Sequence, residues 1–127
     1  MIFFVVEDST GDLQRIQVKT GNIRNYRKGT GFSVQFSINL NQIKAKKRPD
    51  LYYSLVPIIN EKIEDFLTFE RVILHKYFQD GKLGSPNKSG NINLRIIFRN
   101  NKYYFKTDDI SKYLDFPLKF KKIPHLY

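Results

Sequence analysis

The chain has no cysteine and no tryptophan. Without cysteine there are no disulfides, no thiolate metal site and no cysteine nucleophile, and the cytoplasm is the expected compartment. No apolar run approaches the roughly 20 residues of a membrane span, so no membrane partner is expected. The opening run Met1 to Val6 is too short for a secretory leader and lacks a basic flank, so it reads as a strand. Acidic residues are scarce as well: 12 against 22 lysines and arginines, a formal charge of +10. A balance this basic points to polyanionic partners, nucleic acid ahead of an anionic surface. The two histidines, His75 and His125, stand far apart, and no serine has a recognisable histidine and acid partner. Histidine metal clusters and a hydrolase triad are therefore discounted.

Aromatics, by contrast, are plentiful, with 11 Phe and 8 Tyr in 127 residues. That length suits one domain with a substantial core. Residues 2–7 read as a strand, and the turn around Gly11 leads to a second strand at 13–20, giving a hairpin over 2–20. Gly21 to Gly31 reads as a loop. Phe32, Val34, Phe36 and Ile38 alternate with polar residues, the period of a half-buried strand. Residues 40–48 predict a short helix or loop, and Leu51 to Val56 a buried central strand ended by Pro57. A helix is favoured for 60–67, with 69–78 open between helix and strand. Gly81, Gly84, Pro86 and Gly90 mark 79–91 as a loop. A second hairpin turns at Asn100-Asn101, and Thr107 reads as the N-cap of a short helix over 108–114.

Candidate chemistry centres on the strand at 13–20. Alternation puts Arg15, Gln17 and Lys19 on one face and Ile16 and Val18 on the other. A lysine on a strand face can steady charge building on a phosphate. A neighbouring glutamine can orient a metal-bound water or ligate weakly through its carbonyl oxygen. On the residues alone, an ordinary solvated strand face explains the same pattern.

The run Arg15-Ile16-Gln17-Val18-Lys19-Thr20-Gly21-Asn22, following Val6-Glu7-Asp8 and a glycine-containing turn, resembles the PD-(D/E)XK nuclease superfamily. It is most similar to the branch associated with group I intron homing endonucleases, whose motif strand often reads QVK. The likeness spans about residues 2–57, and Asp50 with the apolar run after it resembles that family's next core strand. The resemblance implies a restriction-endonuclease-like core: an α/β or α+β domain with a mixed central sheet and few flanking helices. Length predicts a single domain over 1–127; the resemblance places a nuclease-like sheet core at 2–57, which leaves a C-terminal extension over 58–127 that carries the second hairpin and a short helix. Lys19 matches the catalytic lysine, and Gln17 the acidic-or-glutamine position before it.

The family's essential aspartate falls at Phe3 or Phe4, and neither can bind a metal. The family's glutamate-bearing N-terminal helix has no counterpart ahead of this strand. Glu7, Asp8 and Asp12 remain as metal-ligand candidates, all at the hairpin turn. DNA contact is expected from Arg15, Arg24, Arg27, Lys28, Lys44, Lys46, Lys47 and Arg48, with loop 24–28 and cluster 44–48 flanking one strand edge. The expected function is DNA binding by a nuclease-like protein with an incomplete metal site. The alternatives are a Mg²⁺-dependent endonuclease whose carboxylates are non-standard or come from a partner, and a small phage or mobile-element protein that binds another protein. Mg²⁺ is the cofactor of the active reading and no cofactor belongs to the others. A homo-oligomer or a protein partner is compatible with each.

Overall fold

A computed structural model describes residues 2–6, 13–27, 31–47 and 50–114. Within them lie two five-stranded sheets and two helices, an α+β architecture with few helices. The first sheet is mixed. β1 (Ile2–Val6) runs antiparallel to β2 (Leu13–Asn22), and β2 runs parallel to β5 (Leu51–Ile59). β6 (Lys62–Ile63) and β7 (Leu67–Glu70) both pair with β5 on its far side. The second sheet is antiparallel, in the order β10 (Asp108–Asp109), β9 (Lys102–Phe105), β8 (Asn91–Arg99), β4 (Gly31–Asn39), β3 (Arg24–Arg27).

The alternation in β4 does what its period demands. Phe32, Val34, Phe36 and Ile38 are buried and meet Ile92, Leu94 and Ile96 of β8. Leu51, Tyr53 and Leu55 of β5 and Leu67 and Phe69 of β7 join them, so both sheets share one core. α1 (Leu40–Lys44) is capped by the Asn39 side chain, which accepts from the Gln42 N–H at 3.2 Å. α2 (Arg71–Gln79) buries Leu74 against the same core.

Several expectations are corrected. Gly21 to Gly31 is not a loop: β2 continues to Asn22 and β3 follows. Continuation is possible because Gly21 lets β2 press onto β4. A Cβ there would lie 2.7 Å from the Gln35 carbonyl oxygen. No helix covers 60–67. Asn60 (φ 48°) and Glu61 (φ 66°) turn a tight hairpin from β5 into β6 instead. Pro57 does not end β5. It sits where β5 changes partner, between the Leu55–Leu67 pair and the Ile58–Ile63 pair, so its missing N–H breaks no ladder bond on that side. Its carbonyl accepts from Glu64 N–H at 3.0 Å.

Thr107 caps no helix, and 108–114 holds β10 and a 3₁₀ turn at 111–114. The Asp109 carboxylate takes the capping role, accepting from Ser111 N–H at 2.9 Å. The second hairpin turns as expected at Asn100 (φ 51°) and Asn101 (φ 62°). No helix among the described residues is long and apolar enough to cross a membrane.

Candidate functional site between the sheets

β2 is held on both sides, which fixes where its polar face points. In register, Arg15 pairs with Leu51, Gln17 with Tyr53 and Lys19 with Leu55. Paired residues share a face, so Arg15, Gln17 and Lys19 lie on the side of β5 that builds the main core. This reverses the expected backing of the strand. Ile16 and Val18 belong to a small separate cluster with Tyr52, whereas Gln17 and Lys19 look toward the second sheet. Further along the same face, Gly21 touches Val34 and Phe36. Arg15, Gln17 and Lys19 are all half-buried. They occupy the margin of the inter-sheet space, neither free surface nor dry core.

One atom there is anomalous. Gln17 Oε1 is buried with no hydrogen-bond donor, the sole side-chain atom among the described residues in that state. Such an orphan costs about 1–3 kcal/mol unless a donor or cation meets it. On β1 the residue opposite Gln17 is Ile2, with Phe3 opposite Ile16 and Phe4 opposite Arg15. A carboxylate facing Gln17 from β1 would therefore stand at Ile2, not at Phe3 or Phe4.

At the entry to β5 the chain builds a polar junction that sequence patterning did not reveal. Arg71, the first residue of α2, is 3% exposed. Its Nε donates to Asp50 Oδ1 at 2.8 Å and its Nη2 to Oδ2 at 3.4 Å. Its Nη1 donates at 2.6 Å to the Ile43 carbonyl, one of the acceptors left over at the end of α1. Burial pushes the Asp50 carboxyl up. The Arg71 hydrogen bond, the Leu51 N–H and the positive charges of Arg71 and Arg15 outweigh it and hold Asp50 below the ordinary carboxylate value. Tyr53 donates to Gln42 Oε1 at 2.6 Å, and burial pushes its hydroxyl well up, so it stays neutral. The only sequence signal for Arg71 was an arginine at the start of an apolar stripe.

The expected DNA contacts divide. Lys44, Lys46 and Lys47 are exposed and precede β5, close to the Arg15 end of β2. Arg24 and Arg27 lie in β3, beyond the other end of β2. The run of β2 from Arg15 to Asn22, roughly 23 Å of strand, lies between the two groups along the chain, so they stand toward opposite ends of that strand. Lys28, Arg48 and the metal candidates Glu7, Asp8 and Asp12 lie outside the described residues.

Mg²⁺ requires near-octahedral oxygen coordination, usually with one or two carboxylates. Among the described residues no three histidines or acids are gathered to hold a metal. Asp50 is committed to Arg71, and Gln17 Oε1 is a single neutral oxygen. The described residues do not fit a Mg²⁺ site, and no hydrolytic step follows from them. Compared with protein-family models, curated proteins and solved structures, the chain has no significant match.

Proposed function

We propose that this chain is a DNA-binding protein on a nuclease-like sheet that lacks a self-sufficient metal site. The observation that carries this reading is the placement of Gln17 and Lys19. They lie two residues apart on one face of β2, the face toward the second sheet, with no carboxylate opposite Gln17 on β1. The antiparallel β1–β2 pair matches the hairpin expected over 2–20, and the parallel β5 beside it makes the first sheet mixed, which is compatible with the reading. The net charge of +10 and the exposed Lys44, Lys46 and Lys47 supply phosphate contacts.

The orphaned Gln17 Oε1 favours one second reading. An acceptor awaiting a donor or cation suits an active endonuclease whose carboxylates come from Glu7, Asp8, Asp12 or a partner chain. Plasmid incubation with Mg²⁺ and Mn²⁺, alongside DNA binding measured across a salt series, separates the two. The expected result is binding that weakens steeply with salt, with no cleavage. Cleavage that vanishes in Lys19→Ala selects the endonuclease. Absence of DNA binding at low salt removes both readings and leaves a protein-binding role.

A further inference from the structure

The outer face of the second sheet gathers basic side chains from the β8–β9 hairpin beside polar side chains from β4, laid down more than fifty residues earlier. On β4 the residues alternating with the buried Phe32, Val34, Phe36 and Ile38 are Ser33, Gln35 and Ser37. On β8 they are Asn93, Arg95, Ile97 and Arg99, and on β9 Lys102 and Tyr104. Gln35 pairs with Arg95, Ile97 with Tyr104, and Arg99 with Lys102. The Arg99 guanidinium lies over the Tyr104 ring, 4.7 Å from its centroid.

β3 extends the same sheet, with Arg24 in register opposite Ser33 and Arg27 opposite Gly31. Gly31 in turn packs on the backbone of Phe98 and Arg99. The backbone positions of Arg27, Arg99 and Lys102 thus run across one end of the sheet. The one acid among the described residues of this face is Asp109, at its edge, where Lys102 approaches to 3.8 Å.

We propose that this face is a platform for single-stranded nucleic acid. The inference rests on the nucleic-acid reading above and assigns it a surface and a substrate form. A twisted sheet face is too broad for a duplex groove, yet it can lay out unpaired bases. Guanidinium and tyrosine planes stack on such bases, and the amides of Gln35 and Asn93 can meet their edges. Arg95, Arg99 and Lys102 then neutralise the phosphates. The charge complementarity lies in the excess of three cations over one acid on the described part of the face.

The test is fluorescence anisotropy with a labelled mixed-sequence DNA oligonucleotide, as single strand and as duplex, on the full chain. The wild type should bind the single strand more tightly. The Arg95→Glu, Arg99→Glu double variant should lose about tenfold or more of that affinity. Tyr104→Ala should weaken the single strand more than the duplex. Lys76→Glu, on the exposed side of α2, controls for general charge and should change affinity no more than about twofold. Both arginines are exposed, and circular dichroism confirms folding of each variant. Equal or tighter duplex binding overturns the proposal. So does unchanged single-strand affinity in the double variant while Lys44, Lys46 and Lys47 substitutions abolish binding, a result that leaves the broader reading standing. Failure of the wild type to bind either form overturns both.

Discussion

Arg71 Nε meets Asp50 Oδ1 at 2.8 Å with very unequal burial of the two side chains, 4% of Arg71 exposed against 48% of Asp50. The cation is enclosed and the anion is half in water, so the two partners are not equivalent on removal.

Asp50→Ala leaves the enclosed guanidinium without its counter-charge, with Arg15 a second positive neighbour. It should cost about 3 kcal/mol of unfolding free energy. Arg71→Met removes the charge with its desolvation penalty and leaves an aspartate that water can reach, so it should cost only about 1–2 kcal/mol. Urea titrations of both variants check the order, and a larger loss in Arg71→Met would contradict the account.

The same pair sets a pH dependence. The Asp50 carboxyl is held below its ordinary value in the folded chain. Its contribution is therefore complete above the unfolded value of about 3.9 and is lost as pH falls through the lower folded value. The stability gap between wild type and Asp50→Asn should be flat from pH 7 to about 5 and shrink below about 4. Denaturant midpoints measured across that range report it.

Replacing Gln17 by methionine tests whether its oxygen is orphaned in solution. With no donor present, Gln17→Met should stabilise the chain by about 1 kcal/mol, since an unsatisfied acceptor is removed at similar volume. A loss of stability instead would mean that a donor or cation meets Oε1. If that loss grows when Mg²⁺ is present, the bound group is the metal.

Gly21→Ala should cost about 1–3 kcal/mol by overpacking. The new Cβ would lie 2.7 Å from both the Gln35 carbonyl oxygen and Val34 Cγ2, and the carbonyl belongs to a paired strand that yields little. Thermal melting measures the loss, and an unchanged midpoint would mean that the sheets sit further apart than described.

Much of the strand content was legible because it depends on local pattern. The alternation from Phe32 to Asn39 and the Asn100-Asn101 turn each carry their own signal within a few residues. What was illegible depends on partners. Pro57 reads as a stop until one knows that β5 exchanges β7 for β6 beside it. The stripe of Ile63, Phe66 and Leu67 fits a helix until Asn60 and Glu61 take positive φ and fold the chain back.

The candidate site divides the same way. Alternation placed Gln17 and Lys19 together on one face. It could not say which face meets the second sheet, because that is decided by β5 and by the close approach at Gly21. Arg71 was invisible, since its three acceptors lie on Asp50 and Ile43, more than twenty residues upstream.

The order in which the strands are laid down has a consequence for how the chain holds together. The polypeptide enters the first sheet with β1 and β2 and leaves it for β3 and β4. It returns for β5, β6 and β7, then leaves again for β8, β9 and β10. β8 (Asn91–Arg99), late in the chain, zips along the whole of β4, laid down more than fifty residues earlier. Neither sheet can be finished before most of the chain exists, so folding should be slow and all-or-none. The two pieces made by a proteolytic nick in the exposed stretch 84–89 would each lack an interior. They should remain associated, co-eluting on gel filtration and parting only in denaturant, like a lock whose halves have no shape of their own.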